Sequence, residues 1–155
     1  MSRLPLEREA ILPRIDGIRK NLERLERLGK LPLKKFSAGD DFDLVQHHLR
    51  LALEGVFHIG SHILSRAPGG RADQYKEIAI KLCELGIVDK KFASTKLVKM
   101  AGLRNLLVHQ YADIEAKQLY QIVVLFHFQT DHPFPLIQRP HTSTYRQYIP
   151  KAVPV

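Results

Sequence analysis

Cysteine is nearly absent from the sequence. Cys83 is the single one, so no disulfide can close within the chain and no thiolate set can hold zinc. That scarcity suits a reducing compartment. Met1–Glu7 also shows no apolar run of signal-peptide kind, and the two together lead to the expectation of a cytoplasmic protein. No apolar window approaches the length needed to span a bilayer. Strict alternation of apolar and polar residues, the mark of a half-buried strand, is missing, and no segment repeats. Acidic residues are outnumbered, 16 against 24 basic ones, which leaves a net charge of +8 and a pI near 9.7. A surface of that sign favours polyanions, nucleic acid first, through phosphate neutralisation.

What remains is helical pattern. With 155 residues, 45% of them hydrophobic, the chain can bury one proper core. Ile11, Ile15, Ile18, Leu22 and Leu25 recur at steps of four and three, which predicts a first helix over 5–29 that stops at Gly29. Pro32, Gly39 and the Lys34–Lys35 pair mark residues 30–40 as an irregular connector. A second helix is expected over 41–66, capped by Asp40 or Asp41, with Phe42, Val45, Leu49, Ala52, Val56, Ile59 and Ile63 inward. A different side of it carries His47, Glu54, His58 and His62, whose spacings of seven, four and four keep them on one strip at about 100° per residue.

Ala67-Pro68-Gly69-Gly70 is a loop. A short third helix over 73–85 turns Tyr75, Ile78, Leu82 and Leu85 inward, places Cys83 near that inner face as a small buried apolar residue, and ends at Gly86. Residues 87–92 read as a turn. A fourth helix should begin at Ala93 or Ser94 and bury Leu97, Met100, Leu103 and Leu107. Asp113 is placed to cap a fifth, with Leu119, Ile122, Val123 and Phe126 inward. Five prolines after Thr130 forbid a long helix there. The expected organisation is an all-α, antiparallel four-to-five-helix bundle over 1–129, followed by an extended tail over 130–155.

One stretch departs from plain packing. Arg104-Asn105-Leu106-Leu107-Val108-His109-Gln110-Tyr111 crowds an Arg, an Asn, a His and a Tyr into eight residues. A guanidinium fork matches phosphate oxygens, and an imidazole moves protons near neutral pH. Arg104 and His109 diverge by about 140° on an ideal helix, whereas Asn105 and His109 share a face, as do Arg104 and Tyr111 if the helix persists. The pattern therefore lines a broad cleft rather than a compact triad. Its chemistry could be RNA cleavage without metal, with His109 as general base or acid and Arg104 stabilising charge on the transition state. A two-fold dimer would then supply acid and base from identical residues. Glu54 could steer His109 or a phosphate from the second helix. His58 and His62 have metal-ligand spacing, but with Glu54 as the one obvious third ligand no metal is assigned, and no cofactor is called for.

The string Arg-x4-His-x-Tyr closely resembles the signature of HepT-like toxins in the HEPN superfamily. The likeness extends from about Val45 to Phe128, through Leu85-Gly86-Ile87-Val88, Lys99-Met100-Ala101-Gly102-Leu103 and Ala112-Asp113-Ile114. The resemblance implies a homodimeric all-α ribonuclease toxin in which Arg104 and His109 are the catalytic pair. It further implies a partner, an MntA-like minimal nucleotidyltransferase antitoxin, that transfers AMP from ATP onto Tyr111. The sequence departs from the family pattern at His58, where an acidic residue is often found. The alternative is a catalytically silent helical partner of such a transferase that binds nucleotides or nucleic acid.

Overall fold

The computed structural model describes residues 6–109 and 114–128, and every element among them is helical. The long helices α1 (Arg8–Gly29) and α3 (Asp40–Leu64) run antiparallel. Three cross-links show their register: Arg66 Nη2 to Glu7 Oε1, the packing of Ile18 on Gly55, and His48 to Asn21. Between them lies a short helix, α2 (Leu33–Phe36). After the second loop come α4 (Tyr75–Glu84), the short α5 (Lys90–Phe92), a π-helical turn (Ala93–Leu97), α6 (Val98–His109) and α7 (Ala116–Phe128).

The connector after α1 is not wholly irregular. Phe36 is 0% exposed and meets the Tyr120 ring edge-on at 4.9 Å, so α2 forms because its one aromatic has a core slot to fill. Tyr120 also donates from its hydroxyl to the Leu31 carbonyl, 3.0 Å away. The start of α3 differs from expectation too. Gly39, at φ 57°, occupies the capping position, and neither Asp40 nor Asp41 makes a capping bond. Both instead lie in the first turn with Asp43, where carboxylates favour the positive end of the helix dipole. At the other end of the short α4, Gly86 (φ 68°) supplies the left-handed residue that turns the chain. Residues 87–92 are part helix rather than turn. Asp89 Oδ1 accepts from the Phe92 amide at 2.8 Å and so caps α5. The expected Asp113 cap, the Phe126 side chain and the 130–155 tail lie outside the described residues.

Two apolar clusters form the core. One gathers Leu25, Phe36, Val45, Leu49, Leu53, Leu103, Leu107, Ile114, Leu119 and Val123. The other gathers Phe57, Leu64, Ile78, Ala79, Leu82, Leu97 and Ala101. Helix α3 belongs to both, and the buried stripe shifts along it. In its second half Leu53, Phe57, Gly60 and Leu64 are buried, while the expected Val56, Ile59 and Ile63 are half-buried. The reason is tertiary: α4 and α6 pack against α3 there, from a direction that one helix's own pattern does not specify. Close approach uses glycines on two sides of α3, Gly55 against α1 and Gly60 against α4. A Cβ on Gly55 would lie 2.6 Å from Ile18 Cγ1, and one on Gly60 2.7 Å from Ile78 Cγ2. Cys83 is half-buried rather than part of the core.

Candidate active site

Helix α6 carries the polar motif because its apolar side chains leave no other choice of rotation. Leu103 and Leu107 are buried in the cluster shared with α3 and α7, and Ala101 in the one shared with α3 and α4. That anchors Arg104 at the junction of the two core clusters and leaves Asn105 and His109 exposed. The π-helical turn before α6 matters for this register, since each extra residue in a helical turn rotates everything downstream by about 100°.

Arg104 is held from two sides. Its Nη2 donates to Glu54 Oε1 at 3.0 Å, with the two side chains 17% and 16% exposed. Its guanidinium carbon lies 4.4 Å from the centroid of the Tyr75 ring, a cation–π contact. Glu54 Oε1 also accepts from Arg50 Nη1 at 3.3 Å, one helical turn back along α3. The carboxylate is therefore the hub of two cations, both of which donate hydrogen bonds to it. The Arg104 Nε is buried without a hydrogen-bond partner among the described residues.

Arg104 and Tyr75 face an open cleft of about 410 Å3 between α3, α6 and the start of α4. Arg104 and Asn105 line it with Tyr75, Lys76, His58 and Ser61. Of the residues expected to act together, the fold brings Arg104 to Glu54 and sets Asn105 beside Arg104. It does not bring Arg104 to His109, nor does any hydrogen bond join Asn105 to His109. Glu54 engages the two arginines rather than His109. Tyr111 lies outside the described residues. The strip of α3 also divides: His58 faces the cleft and is exposed, His47 is exposed, and His62 is half-buried with its Nε2 unpartnered among the described residues. Among the described residues no three His, Cys, Asp or Glu side chains converge as around a metal ion.

Two residues carried no clear signal in the sequence. Tyr75 looks like one more inward residue of a short helix, and nothing local links it to a motif 29 positions later. His48 is 5% exposed. Its ring lies 2.9 Å from Asn21 Oδ1, and the Asn21 amide nitrogen donates to the Gly17 carbonyl. Asn21 is thereby an acceptor toward the ring, so His48 donates from Nδ1. Burial holds the His48 pKa below the usual 6.5, and Arg24, His47 and Arg27 lower it further. Its spacing from Val45 and Ala52, three and four residues, was the available signal of burial.

The chain as a whole has counterparts elsewhere. A family model described as Ribonuclease HepT-like matches residues 18–125. The chain is 27% identical over 119 residues to tRNA nuclease HepT of Aphanizomenon flos-aquae, a match covering 76% of this chain and 80% of that protein. It is 29% identical over 110 residues to an Archaeoglobus fulgidus protein bearing the name "Putative RNase", covering 71% of this chain and 76% of that one.

Proposed function

The chain belongs to the ribonuclease HepT-like family, and from that premise we propose that it is a metal-independent ribonuclease toxin that cleaves RNA, tRNA foremost, at a cleft shared by two copies. The observation that carries this reading is the setting of Arg104. A cation fixed by Glu54 and Tyr75 at the wall of an open cleft is pre-oriented for a phosphate. It needs no reorganisation as charge builds on the transferring phosphoryl group. His109, exposed at the end of the same helix, supplies proton transfer. One imidazole takes the proton of the ribose 2′-OH as that oxygen attacks phosphorus. An imidazolium gives a proton to the departing 5′-oxygen, leaving a cyclic phosphate. One helix separates Arg104 from His109 by too great an angle for both to meet one phosphate unaided. Two copies of α6 facing each other solve that geometry and provide both protonation states.

The control of this activity follows from Tyr111, two residues past His109. A minimal nucleotidyltransferase of the MntA type would transfer AMP from ATP to its hydroxyl with release of pyrophosphate. The added phosphate places negative charge and bulk where RNA must lie. Positive charge across the chain, +8 overall, supports polyanion binding in the unmodified state.

The test is cleavage of a tRNA pool by purified protein. Arg104→Ala and His109→Ala should each lower the rate by roughly 100-fold or more, and EDTA should leave the wild type active. Variants that cleave as fast as wild type would remove Arg104 and His109 as the catalytic pair, and a wild type that cleaves no RNA would leave a silent nucleic-acid-binding partner. Mass spectrometry after incubation with the transferase and ATP should show added AMP, absent in Tyr111→Phe. Modification that survives in that variant would exclude Tyr111 as acceptor.

A further inference from the structure

We propose that Tyr75 is a positioning residue for Arg104, fixing the plane of the guanidinium rather than merely filling space; this rests on the reading of Arg104 as the phosphate-stabilising cation. The ion pair to Glu54 is a single contact, Nη2 to Oε1 at 3.0 Å. One contact leaves the guanidinium free to swing about that axis. The other end offers no second restraint, because Nε is buried with no hydrogen-bond partner among the described residues. What remains is the ring of Tyr75, whose centroid lies 4.4 Å from the guanidinium carbon. A planar cation prefers to lie over the negative face of a ring, so the ring selects the orientation that the ion pair leaves open.

Tyr75 is suited to this because it is itself held. It begins α4, and its ring packs on Phe57 with centroids 5.0 Å apart. Phe57 is 1% exposed and belongs to the core. The ring is thus a rigid shelf between core and cleft, and it lines the cleft beside Asn105. Among the described residues no hydrogen bond involves its hydroxyl, so the ring face alone should carry the role.

The experiment compares Tyr75→Phe with Tyr75→Leu in the full chain, using tRNA cleavage and side-chain NMR. Tyr75→Leu should lower kcat roughly tenfold with KM changed less than about twofold, the pattern expected when transition-state orientation is impaired. Tyr75→Phe should cleave as wild type. In an Arg104→Ala background, Tyr75→Leu should cost nothing more. The Arg104 Nε–H resonance, assigned by its disappearance in Arg104→Lys, should be displaced by the ring current in wild type and Tyr75→Phe and relax in Tyr75→Leu. Where Tyr75→Leu does not fold, Tyr75→Met refills the volume without a π face. Full kcat in Tyr75→Leu beside an inactive Arg104→Ala, or a folded Tyr75→Phe as slow as Tyr75→Leu, would overturn the proposal. A wild type that cleaves no RNA, or an Arg104→Ala that cleaves normally, would defeat the catalytic reading instead, and the NMR comparison would still decide whether Tyr75 orients Arg104.

Discussion

Replacing Glu54 with Gln removes one charge and almost no volume. Its partners stay: Arg104 at 3.0 Å and Arg50 at 3.3 Å, both on the same oxygen. The variant leaves two guanidinium groups beside a neutral amide. Stranding one partner of a fully buried pair costs about 3–5 kcal/mol, and an exposed pair is worth about 0–1 kcal/mol. At 16% and 17% exposure the Glu54–Arg104 pair lies between these limits, so the loss should be about 2 kcal/mol after allowance for residual solvent screening. Arg104→Met is the informative contrast. It keeps the apolar stem, and Glu54 remains paired with Arg50, so no ion is stranded. It loses the cation–π interaction and one charged hydrogen bond, about 2–3 kcal/mol together, but no longer desolvates a guanidinium, which offsets much of that and leaves about 1 kcal/mol net. Urea unfolding at pH 7, followed by circular dichroism at fixed protein concentration, reads both values. Raising salt to about 1 M should recover part of the Glu54→Gln loss, because the arginines then repel through a shorter screening length. An Arg104→Met variant as destabilised as Glu54→Gln, or more so, would refute the view of Glu54 as the hub.

Three further outcomes are expected. Stability should fall as pH drops below about 6.5, because the unfolded chain then takes up a proton that buried His48 resists, and unfolding gains wherever the unfolded state binds more protons. His48→Gln should flatten that part of the urea-midpoint profile, and an unchanged slope would count against it. RNA binding by a His109→Ala background should weaken with log salt, and Lys76→Ala at the cleft wall should reduce that slope by roughly 0.7 for each phosphate no longer neutralised, as read by fluorescence anisotropy; an unaltered slope places the RNA elsewhere. Gly55→Ala should lower the thermal midpoint, since a Cβ 2.6 Å from Ile18 Cγ1 costs about 1–3 kcal/mol of overpacking against a helix-propensity gain of up to about 1 kcal/mol; a raised midpoint would mean α1 shifts freely.

Much of the helical layout was legible because its signal is local. Apolar steps of three and four residues placed α1, α3, α4, α6 and α7 within a few residues of their observed bounds. The short elements were not legible. Helix α2 exists because Phe36 reaches Tyr120, a residue 84 positions away, and no pattern in residues 30–40 announces it. The site was half legible. Residue types alone marked Arg104, Asn105 and His109 as unusual on a helix, and spacing alone separated Arg104 from His109 in angle.

The sequence by itself determined that this protein is helical, basic and equipped with a phosphate-matching cation near a titratable ring. These follow from composition and from a period that each helix carries within itself. Tertiary structure decided what surrounds that cation. The rotation of one helix against another is fixed by packing over many residues, so only the folded chain sets Glu54, 50 positions earlier, at the end of Arg104 and lays Tyr75 against its guanidinium. The same packing buried His48 while leaving its neighbour His47 exposed.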